Sequence, residues 1–302
     1  MFFPIERIIL EGPDLSGKTT LYNKIHKLSN YKWNIQDRSS ISMVLNTQMY
    51  DRDSYVQIEN CKKELANMNV IQVICLPSWD VISQRYSDRG DEIHDFMSLR
   101  EVYKRFEKIS EELKHRTNVC IINTEDTDLA AKALIAAFIE MESCNINRLS
   151  SIIMKNVAST DSNEIRGLNF CLMDDGKFAD CDSSVLNYEK EKDYYVEIIG
   201  EFENKIDKEL EGKNEYSRIE DITSRRFIYT GNSCISCIHF LARDNVGYFD
   251  CFLRSSNVLN TLKYDLNFLY VLCKRICKKL NFNNDVVMNI TLNSAHILSN
   301  VK

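Results

Sequence analysis

The chain has few of the residues that build linkers, with 3 prolines and 9 glycines among 302 residues. No low-complexity segment separates its two halves. Long apolar runs are also lacking, and no segment approaches the length of a membrane span. The N-terminal sequence MFFPIERIIL lacks the basic start of a signal peptide and leads directly into a strand. We therefore expect a cytoplasmic protein with no membrane partner.

The sequence also lacks an excess of positive charge. The 38 lysines and arginines are outnumbered by 44 aspartates and glutamates, which gives a net charge of −6. This balance argues against broad binding to nucleic-acid phosphates. We expect no direct nucleic-acid partner, and small anions bound in local pockets are the expected substrates.

Cysteine is plentiful, with 11 residues, but nothing indicates a disulfide framework. The cysteines are scattered through apolar stretches and no export signal accompanies them, so reduced and mostly buried thiols are expected. Cys234 and Cys237 have the spacing of a redox motif. No second pair completes a zinc site with them.

Short β-branched runs at 5–10, 70–76 and 119–123 are separated by segments with helical spacing. Segment 95–116 and segment 128–142, which would close the first domain, are predicted helices. Strands that alternate with helices are typical of a parallel α/β sheet.

The length favours two domains, with a boundary near 145–150. We predict a first domain at 1–147 and a second, α+β domain at 148–302. In the second domain, a charged helical run at 188–211 precedes strand candidates at 234–242 and 246–253.

The string IILEGPDLSGKTTL carries the GxxxxGK[ST] pattern directly after a strand and before a helix. Its glycines let backbone N–H groups turn toward phosphate oxygens, and the helix N-terminus adds a favourable dipole. Lys18 is expected to reach the β- and γ-phosphates of ATP, and the Thr19 hydroxyl to bind Mg²⁺. The predicted ATP-binding residues are Gly12, Ser16, Gly17, Lys18, Thr19 and Thr20.

The string EGPDLSGKTT resembles the phosphate loop of thymidylate kinases, which reads EGxDxxGK[ST]T. The resemblance implies a P-loop kinase fold, and it places Asp14 near the reacting phosphates as an acceptor-positioning or metal-contacting residue. Glu11 is a further candidate metal contact. Asp37 and Arg38 resemble the family's DR[YS] motif, which lies near the acceptor phosphate. A solvated Asp-Arg pair at a helix start is the alternative for this motif.

The string QRYSDRGDEIHDFMSLREVYKRF resembles the arginine-bearing lid of thymidylate kinases, especially viral ones. Arg85 and Arg89 are the lid candidates, because such arginines neutralise charge on the transferred phosphoryl group. A basic face on a surface helix is the alternative for either arginine. The three motifs together favour a kinase acting on a pyrimidine deoxynucleoside monophosphate such as dTMP or a C5-modified dUMP or dCMP.

The string CISCIHFLARDNVGYFDCFLRSSNVLNTLKYDLNFLYVL resembles the core of thymidylate synthase and of phage deoxycytidylate hydroxymethylase. The resemblance makes Cys234 the nucleophile, since a thiolate adds to C6 of the pyrimidine and activates C5. Arg254 follows it by the family separation of 20 positions (254 − 234) and forms an Arg-Ser pair with Ser255.

Other residues match the synthase family by position. Arg225 and Arg226 resemble the arginine pair that reaches across the family's dimer to the partner's substrate, which implies a homodimer. Asp265 stands where dUMP enzymes carry Asn and deoxycytidylate enzymes carry Asp, so it favours a cytosine-type nucleotide. His296 stands where the family contacts the sugar. A helix cap or surface aspartate is the alternative for Asp265.

The second half also departs from the synthase pattern. Thr261-Leu262-Lys263 replace the family's Gly-x-Pro, Leu253 replaces a glutamine and Leu298 a tyrosine. We expect a shortened domain that dimerises and binds dCMP, with methylenetetrahydrofolate as cofactor only if the domain is active. The pairing with a kinase resembles phage nucleotide metabolism. A bifunctional C5-methyl- or hydroxymethyltransferase with a kinase, and a nucleotide-sensing binding protein, are the alternatives.

Overall fold

The computed structural model describes residues 3–143, 146–174, 192–211 and 224–298. The chain divides into two compact units. The N-terminal unit is Ile5–Glu142, and the C-terminal unit is Ser143–Lys302 together with Met1–Pro4. Within the described ranges, no helix combines the length and the apolar character that crossing a bilayer requires.

The N-terminal unit is built on a four-stranded parallel sheet. The strand order is β2-β1-β3-β4. Three of the strands occupy the β-branched runs of the sequence, so the predicted parallel α/β class is confirmed. The strands are β1 Arg7–Glu11, β2 Ile35–Asp37, β3 Val70–Cys75 and β4 Val119–Ile122.

Helices cover both faces of this sheet. Consecutive residues of β3 point to opposite faces, so neighbouring side chains pack in different cores. Val73 packs in a core with helices α1 and α6, whereas Ile74 packs in a core with α2, α3 and α5. The predicted helices at 95–116 and 128–142 are confirmed as α5 and α6. The helices are α1 Lys18–Ser29, α2 Ser40–Met49, α3 Tyr55–Ala66, α4 Trp79–Arg89, α5 Phe96–Leu113 and α6 Thr127–Glu142.

The order of the strands reverses direction at β1. From β1 the chain passes to β2 on one side and then to β3 on the other side. Such a reversal leaves a crevice at the carboxyl ends of the strands, where doubly wound sheets bind ligands. The carboxyl ends of β1, β2 and β4 lead into the candidate loop, the Asp37-Arg38 motif and Thr124, respectively.

Among its described residues, the C-terminal unit forms a six-stranded mixed sheet in the order β5-β10-β8-β7-β6, with β9 paired to β10. Strand β10 runs parallel to β8 and antiparallel to β5. The strands are β5 Glu164–Asp174, β6 Ile228–Thr230, β7 Ile235–Arg243, β8 Val246–Leu253, β9 Ser256–Asn257 and β10 Val286–His296. The helices are α7 Ile146–Ala158, α8 Lys192–Glu211 and α9 Leu262–Lys279.

The strand pair predicted at 234–242 and 246–253 is confirmed as the β7–β8 hairpin. The predicted helical run is confirmed over α8, and its first four positions, 188–191, lie outside the described residues. Along β7, β8 and β10 the side chains alternate between buried and half-exposed. One face of this sheet is therefore core, and the other is partly open.

Candidate active site

The loop between β1 and α1 requires glycine at both ends. Gly12 has φ 141° and Gly17 has φ 91°, and both values favour glycine. A Cβ at Gly12 would lie 2.5 Å from the carbonyl oxygen of Cys75 on the adjacent strand. The sequence pattern is thus explained by close packing of the loop against the sheet as well as by phosphate chemistry.

Lys18 lies inside the loop, with 6% of the residue exposed. Its ammonium group donates to the carbonyl oxygens of Gly12 at 2.8 Å and Pro13 at 2.7 Å, and to the Ser16 hydroxyl at 3.3 Å. Burial, followed by repulsion from Arg38, lowers the pKa of Lys18. A partly dehydrated cation in a phosphate loop interacts strongly with an anion that replaces these carbonyl contacts.

A first pocket of about 260 Å³ opens beside the loop, and we name it the donor pocket after the phosphate donor that the sequence predicts. Arg85 of α4 spans it by donating to the carbonyl oxygens of Leu15 at 2.8 Å and Thr124 at 3.3 Å. Burial, followed by repulsion from Arg89, lowers the pKa of Arg85. The pocket is lined by Leu15, Gly17, Thr20, Arg85, Asp88, Arg89, Glu125 and Thr127.

The predicted lid arginines therefore both line the donor pocket, but in different ways. Arg85 is half-buried against the loop, whereas Arg89 is exposed at the end of α4. Thr19 and Thr20 are exposed in the first turn of α1, and Thr20 lines the donor pocket.

Arg38 lies on the other side of the loop. It follows β2 with φ 61°, and its backbone N–H donates to the carbonyl oxygen of Leu10 at 2.9 Å. This left-handed conformation is uncommon outside glycine, and such strain is concentrated at functional sites. The Arg38 guanidinium forms an ion pair with Asp14 of the loop. Asp37, its neighbour in the motif, is exposed.

A second pocket, of about 320 Å³, is lined by Arg38 of this ion pair, and we name it the acceptor pocket after the phosphate acceptor that the sequence predicts. Arg38 and His94 line it, and Arg52 is also part of its wall, 5.5 Å from the centre of the Tyr50 ring. The remaining lining residues are Met43, Asn46, Thr47 and Ile93. Sequence reasoning missed His94 and Arg52, although His94 stands within the lid string, five positions after Arg89.

Glu11 has a structural explanation that the motif did not predict. It is fully buried, and its carboxylate accepts hydrogen bonds from the backbone N–H groups of Ser39 at 2.9 Å and Ser42 at 3.2 Å, and from the Ser42 hydroxyl. Burial raises the pKa of Glu11, although these bonds oppose the shift. Both oxygens thus hold the N-terminus of helix α2 against β1, and the metal contact stays a prediction.

We expect Glu11→Ala to destabilise the protein by about 3 kcal/mol, because it leaves buried N–H groups of helix α2 without an acceptor. Chemical denaturation monitored by circular dichroism measures the effect. The exposed pair of Glu59 and Lys62 provides the control, and Glu59→Ala should change stability by less than about 1 kcal/mol. Equal, small losses for both variants would show that Glu11 does not hold helix α2.

In the C-terminal unit, the synthase-like residues Cys234, Arg254 and His296 lie at one end of the sheet. Cys234 immediately precedes β7, Arg254 follows β8, and His296 ends β10, which is parallel to β8. The backbone N–H of Arg254 donates to the carbonyl oxygen of Cys234 at 2.8 Å. Cys234 and Arg254 are exposed, and Ser255 is half-buried.

Asp265 lies in the first turn of α9, with 4% of the residue exposed. One carboxylate oxygen accepts from the Tyr195 hydroxyl at 2.9 Å, and the other accepts from the Ser256 hydroxyl at 3.0 Å. The Tyr195 ring stacks on Phe268 at 4.2 Å. These bonds tie α8, β9 and α9 together, and base reading by Asp265 stays a prediction.

Arg225 and Arg226 are exposed just before β6 and away from the Cys234 end of their own sheet. Ile228 pairs with His239, so the arginine pair lies beside the far end of β7, roughly 20 Å along the strand from Cys234. Within one chain, the structure does not bring these arginines to Cys234.

Comparisons with known proteins give no named family. No protein-family model matches the chain, and no curated protein matches it. Among solved structures, the YorR protein of Bacillus subtilis, crystallised in complex with phosphorylated GDP, matches 45% of this chain and 96% of its own at 19% identity and a TM-score of 0.37.

Two thymidylate synthases also match, each with a TM-score of 0.23. The T4 phage enzyme is 20% identical over 28% of this chain and 33% of its own. Thymidylate synthase A of Bacillus subtilis is 14% identical over 35% of each chain. The match thus spans about a third of either synthase, and TM-scores this low do not establish a shared fold.

Proposed function

We propose that the N-terminal unit transfers the γ-phosphoryl group of ATP to a pyrimidine deoxynucleoside monophosphate. The observation that carries the proposal is that one phosphate loop, with Lys18 inside it, lines one pocket beside Arg85 and is joined to a second pocket through the ion pair of Asp14 with Arg38. An oxygen of the acceptor phosphate attacks the γ-phosphorus, the bond to the bridging oxygen of ADP breaks, and ADP leaves.

The charges of the site suit this reaction. Arg85 and Lys18 stabilise negative charge on the transferred phosphoryl group, and Arg38 offsets the repulsion between two phosphorylated substrates. Among the described residues, no cluster of three acidic, histidine or cysteine side chains is arranged to hold a metal alone. Mg²⁺ commonly binds through one or two protein oxygens together with substrate phosphates, and the exposed Thr19 hydroxyl fits that role. The bound ion would offset charge on the phosphates.

A nucleotide-sensing protein is the second candidate, because a phosphate loop alone binds nucleotide without transferring phosphate. The acceptor pocket favours the kinase. A sensor needs no second cavity beside the loop, and it has no use for an arginine held next to Asp14 in a strained backbone conformation.

A substrate panel tests the proposal. Wild-type protein with ATP and Mg²⁺ is supplied in turn with dTMP, dUMP, dCMP and their 5-hydroxymethyl forms, and ADP release is followed. At least one monophosphate should raise ADP release well above the rate without acceptor. Equal rates with and without every acceptor would contradict the kinase and favour the sensor.

For the C-terminal unit, we propose a pyrimidine-nucleotide-binding domain that forms a homodimer. The open face of its sheet carries large half-exposed side chains such as Leu241, Tyr248 and Val287, which suit a second copy of the same surface. The position of Arg225 and Arg226 also supports a dimer, since within their own chain they lie far from the end of the sheet that carries Cys234. The alternative is a two-step enzyme with a folate-dependent C5 transfer at Cys234. Either activity would place the protein in cytoplasmic nucleotide metabolism, and the fusion suits a phage.

We expect multi-angle light scattering at micromolar concentration to give twice the mass of one chain. Tyr248→Lys on the open sheet face should shift the protein toward monomer, because it buries a charge in the interface. Lys192→Ala, an exposed change on α8, is the control. A strictly monomeric wild-type protein would contradict the dimer and remove the basis for a role of Arg225 and Arg226 across it.

We also expect the C-terminal unit to bind dCMP more tightly than dUMP without turning either over with methylenetetrahydrofolate. Methylene transfer needs a closed pocket with intact proton relays, whereas binding needs only phosphate and base contacts. Calorimetry should find a dCMP site that Arg254→Ala weakens about 10-fold or more and that Arg38→Ala leaves intact. Release of tritium from C5 that depends on Cys234 would contradict this view and support the two-step enzyme.

A further inference from the structure

His94 is held rigidly at the acceptor pocket by the short segment between α4 and α5. Its backbone N–H donates to the Asp91 carboxylate at 2.7 Å. The next residue, Asp95, caps helix α5 by accepting from the backbone N–H of Ser98 at 2.7 Å. Only 5% of His94 is exposed. The imidazole position is therefore set by the start of a helix rather than by a free loop.

The two ring nitrogens of His94 differ in their contacts. Its Nε2 lies 3.5 Å from one oxygen of Asp14, whose other oxygen pairs with Arg38. Its Nδ1 is buried and has no hydrogen-bond partner within the described parts of the chain. An unpartnered buried polar atom is energetically costly, so such an atom in a residue that lines a pocket calls for an explanation.

The other groups of the acceptor pocket indicate which kind of ligand would supply a hydrogen-bond partner for Nδ1 of His94. Arg38 and Arg52 supply two positive charges, while Asp14 is already paired with Arg38. An anion with several acceptor oxygens matches this set, and a phosphate monoester is such an anion. The Asn46 amide and the Tyr50 ring leave polar and flat surfaces for the rest of a nucleotide.

We propose that His94 binds the acceptor: when the monophosphate enters and opens the wall around Nδ1, the imidazole donates from this nitrogen to an oxygen of the 5′-phosphate that Arg38 also binds. The proposal rests on the kinase function and adds a residue to its acceptor site. His94 thus contributes to acceptor affinity, whereas ATP binding on the opposite side of the loop is independent of it.

Two substitutions separate hydrogen bonding from packing. His94→Leu keeps an apolar side chain in the wall but removes the donor, and it should raise the KM for the best monophosphate about 10- to 100-fold. The dissociation constant of ATP should stay within threefold of wild type. His94→Gln keeps a planar N–H donor and should recover most of the affinity. His115→Ala, at an exposed histidine after α5, is the control.

A further arm identifies the contacted group. The matching nucleoside, used as a competitive inhibitor, lacks the phosphate, so its inhibition constant should be the same in wild type and in His94→Leu. An equal rise for nucleoside and monophosphate would overturn the phosphate contact, and so would an unchanged KM in His94→Leu. If wild type itself transfers phosphate to no monophosphate, the kinase function fails, and calorimetry of monophosphate binding to wild type and His94→Leu still tests the contact.

Discussion

Lys18→Ala is expected to lower the turnover number for phosphoryl transfer about 10³-fold, equivalent to about 4 kcal/mol of transition-state stabilisation. The substitution removes the partly dehydrated ammonium group that lies among the loop carbonyls of Gly12 and Pro13. In the reaction, this charge would face the β- and γ-phosphates. Single-turnover transfer from labelled ATP measures the loss.

Two controls separate this effect from a folding defect. Lys18→Met keeps most of the side-chain volume and should be as inactive as Lys18→Ala, with an unfolding midpoint closer to that of wild type. Lys27→Ala, at an exposed position of the same helix, should retain wild-type activity. Near-normal turnover in both Lys18 variants would refute a phosphate-loop kinase.

Arg38→Ala is expected to raise the KM for the monophosphate about 100-fold while changing ATP affinity less than threefold. A bidentate arginine–phosphate contact is stronger than a neutral hydrogen bond, and the acceptor is its assigned partner. The same change leaves Asp14 without its ion pair beside the acceptor pocket. Initial-rate kinetics with each substrate varied in turn separates the two affinities.

The control for Arg38 is Arg100→Ala, at an exposed position of α5, which should leave both affinities unchanged. Arg38→Lys keeps the charge but loses the planar fork, so it should recover only part of the acceptor affinity. Equal losses for ATP and monophosphate in Arg38→Ala would instead assign the Asp37-Arg38 motif a structural role.

The fold of the N-terminal unit was largely predictable because its signals are local. The β-branched runs of β1, β3 and β4 and the strong helix formers of α5 and α6 carry their own periodicity. Strand β2, Ile35–Asp37, was missed because its three residues are too few to show a pattern. Its place in the sheet is set by pairing with β1, which depends on residues more than 20 positions away.

The candidate site was predictable only where a motif fixes both residue type and spacing. The loop and Arg38 belong to such motifs. The capping role of Glu11 was not predictable, since it depends on where helix α2 begins relative to β1. His94 was missed for the same reason: its contact with Asp14 joins residues 80 positions apart in sequence.

In the C-terminal unit, the pairing of strands β7 and β8 was predictable from the sequence, but the surroundings of individual side chains were not. The two strands predicted between Cys234 and Arg254 pair as a hairpin, so the two residues lie together and their backbones share a hydrogen bond. The burial of Asp265 between Tyr195 and Ser256 depends on how α8 packs against residues that are distant from it in sequence. Pattern matching therefore located this carboxylate without revealing what surrounds it.

Transfer of radiolabel from γ-labelled ATP to a monophosphate, with the products separated by chromatography, distinguishes a kinase from a protein that only binds or hydrolyses ATP. We expect wild-type protein to produce a labelled pyrimidine deoxynucleoside diphosphate, and Lys18→Ala to produce none. Label that appears only as inorganic phosphate, or stays in ATP with every acceptor, would contradict a kinase.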